Sequence, residues 1–343
     1  MKKFNYLLGA AAIMVAMVFA SCSNEDLPTP GIFNGDDLST AIANHTEIVN
    51  GVPVVTLPAG VTLTVNEAIE LNAPLLITCK STTDLPIIKM GKDGKFVTLA
   101  GIQFTNVGID ASEQTSPLVT VGKTEPAEWS LCPVGFENVV VSGLKKALVY
   151  AACKKYETPL VVNDCRIQVA ADVTVFDYTK GSVAPEFIIE NSSICAPTAT
   201  TKAFYSSQGG QKATEISDDA IQEFEFANST FYNLAKTKNF FTHRQSNQKW
   251  LSYEVKNCIF VNCGKSGQAI KGMNGGQGGA NPIWNISGNV FNFDGADTSA
   301  DEATGDDNEP VANSKAVVVN FADPDNGDFS QSDVKAGDPF WYE

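Results

Sequence analysis

Arginine and histidine are almost absent from this sequence. Arg166 and Arg244 are the two arginines, His45 and His243 are the two histidines, and the formal net charge of the 343 residues is −15. A protein that binds nucleic acid needs a basic surface for the phosphates, so the composition argues against that class of partner. Hydrophobic residues make up 43% of the chain and charged residues 18%, which is typical of a globular protein.

The cysteines lack the pairing of a disulfide framework and the spacing of a zinc site. Of the eight cysteines, Cys22 ends the N-terminal segment and seven remain, an odd number that cannot form a complete set of intrachain disulfides. No CxxC pair occurs, and the closest two, Cys258 and Cys263, have no neighbouring histidines that would complete a zinc site. We therefore expect free thiols, buried as small apolar side chains.

The first residues form a secretion signal that is too short for a comfortable membrane span. Two lysines at 2–3 precede an apolar run at 7–18, which ends in small residues followed by Cys22. This pattern resembles a lipobox, in which the cysteine is lipidated and becomes the first residue of the mature protein. Ser23 does not resemble an inner-membrane retention signal, and the following Asn24-Glu25-Asp26 resembles the acidic tag that sends such lipoproteins to the outer face of the outer membrane. We predict a lipid-anchored outer-membrane protein that faces the cell exterior.

A short segment recurs along the chain, with asparagine, aspartate or glycine three places before an apolar residue. Its copies are Gly101–Phe104, Asn138–Val141, Asp164–Ile167, Asn191–Ile194, Asn228–Phe231, Asn257–Phe260 and Gly288–Phe291. Between the copies lie short β-branched or aromatic runs at 96–99, 118–121, 147–150, 173–176, 203–205, 240–242, 269–271 and 316–319. No apolar pattern of helical period persists over ten residues after the signal, so both kinds of segment are predicted to be strands.

The repeat predicts an all-β fold, a right-handed parallel β-helix. Successive copies end between 26 residues (141 to 167) and 37 residues (104 to 141) apart. So short a unit cannot bury its own apolar face, whereas coaxial stacking pairs every strand with its counterparts and merges the inward side chains. Stacked turn asparagines can then form a ladder of amide hydrogen bonds. A β-propeller is the structural alternative, but its blades need four strands and about 40 to 45 residues.

The N-terminal end of the coil is predicted to carry a cap, because an open sheet edge invites aggregation. Asp36 and Asp37 can N-cap a short helix over 38–44, which would cover that end. The predicted organisation is a signal peptide over residues 1–21, a flexible tether over 22–35 and one parallel β-helix domain over 36–343.

Several segments resemble known β-helix proteins. The sequence DLSTAI at 37–42, followed by LPAG at 57–60, resembles the opening of pectin-lyase-like β-helix proteins. The segments FANSTFYNL at 226–234, YEVKNCIFVN at 253–262 and 321–341 are similar to a family of uncharacterised surface lipoproteins. That family is related in fold to chondroitinase B and associated with polysaccharide-utilisation systems. The resemblance covers nearly all of the mature chain and implies the fold more strongly than the chemistry.

The loops that follow the second recurring strand are predicted to emerge on one side, about 4.8 Å apart per turn. They group aromatic rings that can stack on sugars and cations that can pair with uronate carboxylates. The alternative is that these side chains are lids over the core and solvated loop charges. The predicted substrate-binding residues are Trp129, Tyr156, Tyr178, His243, Trp250, Trp284, Lys154 and Lys180.

Two loops carry residue types suited to catalysis or metal binding. β-Elimination of a uronate needs a base and a cation to stabilise the enolate, and Lys249 and Arg244 are the candidates for these roles. Lyases that resemble chondroitinase B use such a pair. Asp294, Asp297 and Asp301 could ligate Ca²⁺ through their oxygens. The alternative for this acidic stretch is a solvated insertion, and no other cofactor is expected.

Three functions follow from these observations. The first is a surface protein that binds an acidic, uronate-containing polysaccharide along the β-helix groove. The second is a polysaccharide lyase, and the third is a surface adhesin or structural protein. A groove that combines aromatic and basic residues favours the first two functions, whereas a broad exposed apolar patch favours the third.

Overall fold

Short β-strands are the main secondary structure of the residues that the computed structural model describes. It describes residues 27, 30, 37–198, 201–207, 222–236, 238–243, 251–264, 283–292, 315–316, 318–332 and 334–342. Within these residues one α-helix, α1 (Leu38–His45), precedes the strands, and two 3₁₀ turns (Pro324–Asn326 and Pro339–Trp341) follow them. The strands of the described residues, numbered in chain order, form two large sheets and one two-stranded ladder.

The larger sheet, sheet A, is curled and consists of two runs of strands. Its first run comprises β1 (Glu47–Val49), β2 (Val52–Leu57), β5 (Leu75–Cys79), β8 (Ile102–Asp110), β11 (Val134–Leu144), β14 (Leu160–Asn163), β17 (Glu186–Glu190), β20 (Gln222–Ala227), β23 (Leu251–Lys256) and β25 (Ile283–Ser287). Its second run comprises β3 (Thr62–Val65), β6 (Ile87–Met90), the ends of β8 and β11, β15 (Arg166–Val169), β18 (Ser193–Cys195), β21 (Thr230–Tyr232), β24 (Ile259–Val261), β26 (Val290–Asn292) and β27 (Lys315–Ala316).

The smaller sheet, sheet B, contributes one strand to each of the first seven turns. Its strands are β4 (Ala68–Leu71), β7 (Lys95–Thr98), β9 (Val119–Val121), β12 (Val149–Ala151), β16 (Thr174–Tyr178), β19 (Ala203–Ser207) and β22 (Phe241–His243). The two-stranded ladder pairs β10 (Ser130–Leu131) with β13 (Tyr156–Glu157).

Each strand pairs in parallel with its counterpart one turn later. In sheet A, for example, β17 pairs with β20 and β20 with β23, and in sheet B β12 lies between β9 and β16. Among the described strands only β1 and β2 pair antiparallel. Since propeller blades are antiparallel, the propeller alternative is wrong, and the predicted all-β stack of parallel strands is confirmed.

The short N-terminal helix forms as predicted. Asp37 is its N-cap, and the Asp37 carboxylate accepts a hydrogen bond of 3.0 Å from the backbone N–H of Thr40. Leu38 and Ala41 are buried in the same core cluster as the residues of the first turns. The helix therefore packs its apolar side onto the first strands of the stack.

The core is a continuous cluster of inward side chains that runs from Leu38 to Phe291. Residues in register stack on one another, because the inward positions of neighbouring strands coincide. Phe231, Phe260 and Phe291 form one such column, with ring centroids 4.9 and 5.1 Å apart and interplanar angles of 12° and 7°. Aromatic stacking of this kind adds to the burial of apolar area.

The recurring asparagines form the predicted ladder at the corner between the two runs of sheet A. Asn257 donates to Asn228 at 3.4 Å, Asn228 to Asn191 at 3.3 Å, and Asn191 to Asn163 at 3.0 Å. At the next corner Asn163, one residue before the aligned Asp164, takes the place in the ladder: it accepts the bond from Asn191, and its amide nitrogen donates to Glu137 at 3.0 Å and to Asp164 at 3.1 Å. The corner residues adopt the left-handed conformation, with φ of 46° at Asn191 and 47° at Asn228. Asparagine tolerates that conformation better than most residues.

The C-terminal segment (residues 318–342) packs back along the outer side of the second run of sheet A. Val319 and Ala336 bury against Ile259 and Val290. The backbone N–H of Gly337 donates to the carbonyl of Asn257 at 2.7 Å. The segment thus covers outward apolar side chains that would otherwise face water.

Candidate functional site

A row of polar side chains lies on the outer face of sheet B. Thr120, Tyr150, Asp177 and Ser206 are in register on β9, β12, β16 and β19. The residues before them, Val119, Val149, Phe176 and Tyr205, are buried, because successive side chains of a strand point to opposite faces. We call the row formed by Thr120, Tyr150, Asp177 and Ser206 the sheet-B face.

Tyr150 is the aromatic residue of the sheet-B face. It is half-buried, and its pKa is raised by burial first and then by the nearby Asp177 and Cys153. The hydroxyl therefore stays protonated and can donate a hydrogen bond. Asp177 accepts a 3.0 Å hydrogen bond from the backbone N–H of Thr179 through Oδ1. A ring with a donor hydroxyl beside a carboxylate acceptor suits a ligand that has both apolar faces and hydroxyl groups.

Three loops border the sheet-B face on one side, at 122–133, 152–159 and 179–185. They follow β9, β12 and β16, and they stack on one another as the strands do. Ser130 is in register with Tyr156, and Glu157 forms a parallel bridge with Val183. The loops that follow β19 and β22 (208–221 and 244–250) lie outside the described residues.

Two of the lysines in these loops are exposed and have no partner among the described residues. These are Lys154 and Lys180, both predicted to bind substrate. Lys123 instead pairs with Glu70 at 2.7 Å across strand β7, and Lys155 donates to the carbonyl of Ala127 at 2.8 Å. Lys154 and Lys180 follow strands that are neighbours in sheet B, so their loops are one turn, about 4.8 Å, apart.

Trp129 is half-buried in the first of the three loops. It directly precedes β10, which pairs with β13 of the next loop. The structure therefore places the Trp129 loop beside the loop that carries Lys154, as the sequence predicted.

The predictions for Tyr156 and Tyr178 as sugar-stacking residues are wrong. Tyr156 is 3% exposed and Tyr178 is fully buried. Tyr156 lies on β13, so its ring turns inward against Gly122, where an added Cβ would approach Cε2 to 2.6 Å. Tyr178 ends β16 in the inward register, and its ring packs on Tyr205 with centroids 5.4 Å apart. Strand alternation, which the loop assignment overlooked, buries both rings.

Two further candidates lie in strands. Trp284 belongs to β25 of sheet A, in register with Tyr253, so its predicted place in a loop beside sheet B is wrong. His243 is the last residue of β22, in register with Ser207. The side chains of Trp284 and His243 are outside the described part of the structure.

The remaining candidates fall outside the described residues. They comprise the lipidation site, the catalytic pair with its neighbouring tryptophan, and the candidate calcium ligands: Cys22, Arg244, Lys249, Trp250, Asp294, Asp297 and Asp301. Among the residues that the structure describes, no group of three or more His, Cys, Asp or Glu side chains could hold a metal ion.

Tyr150 and Asp177 were not among the predicted site residues, because the candidates were taken from the loops after the second recurring strand. The run at 147–150 shows no alternation, since Leu148 and Val149 are both buried. The outward position of Tyr150 follows from its register with Thr120 and Asp177 in sheet B.

The outer face of sheet A carries a row of acidic side chains that was not predicted from the sequence. Glu137 of β11 and Glu190 of β17 flank Asn163 in register. Burial, followed by the charges of Asp164 and Glu190, raises the pKa of Glu137 to about 7. Its Oε1 accepts a 3.0 Å hydrogen bond from Asn163, while its buried Oε2 has no hydrogen-bond partner among the described residues. This row belongs to the structural ladder, not to the sheet-B face.

Comparison with known proteins adds no family or relative. No family model matches the chain, and no curated protein is similar to it at a significant level. Within the described residues, no helix is both long and apolar enough to cross a membrane.

Proposed function

We propose that this chain is a lipid-anchored surface protein whose right-handed parallel β-helix binds a polysaccharide along the sheet-B face. The lipobox-like sequence ending in Cys22 supports the anchor and the outer-membrane location. The regular stacking of one sheet-B strand and two sheet-A strands per turn supports the β-helix. The single observation that carries the binding proposal is the outward register of Thr120, Tyr150 and Asp177, beside loops whose Lys154 and Lys180 have no partner in the described part of the chain.

The arrangement suits an extended ligand with a short repeat. Neighbouring positions of the sheet-B face are about 4.8 Å apart because each comes from the next turn. An extended glycan lying along the stack would therefore meet one polar side chain at each of the turns that carry Thr120, Tyr150 and Asp177. The Tyr150 ring would stack on the apolar face of one sugar, while Thr120 and Asp177 bond to hydroxyls of its neighbours.

The exposed lysines favour a glycan that carries carboxylates. Lys154 and Lys180 stand on adjacent turns and have no acidic partner among the described residues. Each ammonium can form a charge-assisted hydrogen bond with a uronate. The two lysines would also reduce the electrostatic repulsion between an anionic glycan and this chain of net charge −15 at the edge of the sheet-B face.

Affinity gels test this proposal. The protein starting at Ser23 is run through gels that contain pectin, glycosaminoglycans or neutral plant glycans. We expect retardation by a uronate-containing glycan, and weaker retardation of the Lys154→Ala/Lys180→Ala variant. The matched control is Lys92→Ala/Lys202→Ala, which removes two exposed lysines that precede sheet-B strands at the opposite edge.

The other outcomes would each point elsewhere. Retardation by neutral glycans alone would support glycan binding on the sheet-B face and refute the proposal that the glycan contains uronates. Growth of ultraviolet absorbance from unsaturated uronates, abolished by Lys249→Ala, would make the chain a polysaccharide lyase. No retardation in any gel, together with no new absorbance, would refute glycan binding and favour an adhesin.

A further inference from the structure

Leu27 is docked on the outer face of the first turns. It is 5% exposed and packs with Val54 and Leu76, which are in register on β2 and β5, and with the half-buried Val49 and Val52. This contact fixes the N-terminal segment to the beginning of the coil before the chain continues to helix α1.

The distance from Leu27 to the proposed lipid is short. Cys22 precedes Leu27 by five residues, and a fully extended chain spans at most about 3.6 Å per residue, or about 18 Å in all. A lipid on Cys22 therefore holds the first turns within that distance of the bilayer surface.

The surface beside Leu27 presents an exposed apolar side chain. Ile48 on the edge strand β1 is 68% exposed, more than the other exposed large hydrophobic residues of the described chain. Acidic residues flank this part of the sequence at Glu25, Asp26, Asp37 and Glu47, so burial of the apolar side chain, and not charge, would favour a contact with lipid there.

We propose that the β1–β2 hairpin rests on the lipid surface, with Ile48 in the interfacial region, so that the coil stands with its first turn at the membrane. This inference rests on the lipid anchor of the proposed function. It gives the coil one orientation: the later turns of sheet B are displayed away from the bilayer.

Amide hydrogen exchange on the whole lipidated protein tests the contact. The protein, in vesicles of phosphatidylethanolamine and phosphatidylglycerol, is compared with the protein that starts at Ser23 mixed with the same vesicles. We expect several-fold slower exchange in the lipidated protein at residues 46–52, and no change at 318–342. Unchanged exchange at 46–52, or slowing confined to 318–342, would overturn the proposal.

Two variants separate the contact from the anchor. Ile48→Ser should lose the slowing while the lipid is retained, whereas Ile87→Ser, which changes a 45% exposed isoleucine on β6, should keep it. The mass of the N-terminal peptide reports the lipid independently. A peptide without lipid would refute both the anchor and this inference. A lipidated protein whose residues 46–52 exchange as in the soluble form would refute the membrane contact alone.

Discussion

The indole Nε1–H of Trp341 donates a 2.7 Å hydrogen bond to the hydroxyl of Ser193, which lies 148 residues earlier in the chain. The same hydroxyl donates to Oδ2 of Asp338 at 2.7 Å. One buried serine on β18 thus holds both an aromatic and an acidic residue of the C-terminal segment. Phe340, which lies between Asp338 and Trp341 in the sequence, packs its ring on Arg166, with the guanidinium carbon 4.0 Å from the ring centroid.

Ser193→Ala should destabilise the protein by about 1–3 kcal/mol, because the buried carboxylate of Asp338 and the indole of Trp341 both lose their partner. Urea unfolding of the soluble protein measures the change. The control is Ser332→Ala, which removes an exposed hydroxyl of the same segment. Equal stability of the two variants would contradict the clamping role of Ser193.

The asparagine ladder makes a prediction that separates hydrogen bonding from backbone strain. Asn191→Gly removes the side-chain bonds to Asn163 and Asn228 but accepts the φ of 46° without strain. Asn191→Ala removes the same bonds and also places a Cβ in the left-handed region, at an added cost of about 1 kcal/mol. The free energy of unfolding should therefore fall from wild type to glycine to alanine. Alanine equal to or more stable than glycine would refute this account of the corner.

The sequence predicts the stack well because its determinants are local and repeated. The left-handed corner needs Asn, Asp or Gly, so residues such as Asn228 and Gly288 mark the corner directly. The site is harder to predict because an error of one residue in the position of a strand moves each of its side chains to the opposite face of the sheet. Tyr156 and Tyr178, predicted to stack on sugars, are buried, whereas Tyr150, predicted only as part of a strand, faces outward.

The Asn ladder also could not be derived fully from the repeat. The aligned residue Asp164 passes its place in the ladder to Asn163, one position earlier. A pattern that groups Asn with Asp and Gly marks the corner but does not show which neighbouring side chain accepts the bond from the next turn.

Glu137 should make the stability of the protein depend on pH. Its pKa of about 7 in the folded state exceeds the ordinary value of 4.5, because burial and the charges of Asp164 and Glu190 oppose ionisation. The stabilisation from this group is complete below about pH 4.5 and is lost as the pH rises through about 7.

Glu137→Gln should remove that part of the pH dependence while its side-chain carbonyl still accepts the hydrogen bond from Asn163. Between about pH 5 and about pH 8, the wild type should lose on the order of 1 kcal/mol more stability than the variant, a value discounted for solvent screening. Denaturant unfolding at both pH values measures the difference. Parallel pH profiles for the two proteins would contradict the assignment.

The thiols should differ sharply in reactivity. Of the seven free cysteines that the structure describes, only Cys153 is partly exposed, and burial raises the pKa of every one of these thiols that shows a shift, to about 12 for Cys132. A thiol reagent should therefore modify one cysteine in the folded protein that starts at Ser23, and all seven in denaturant. Cys153→Ser should abolish the reaction of the folded form, and rapid modification of a second thiol would contradict the described burial.

The most direct test of the sheet-B face is the glycan affinity of Tyr150→Ala. Loss of the ring should raise the dissociation constant for the bound glycan, obtained from the retardation at several glycan concentrations, about tenfold, since stacking contributes about 1.4 kcal/mol. The control is Phe340→Ala, which removes an exposed aromatic residue of the C-terminal segment. We predict that Tyr150→Ala loses affinity while its unfolding midpoint stays near that of the wild type, and that Phe340→Ala binds normally. Unchanged affinity in a folded Tyr150→Ala protein would contradict glycan binding on this face.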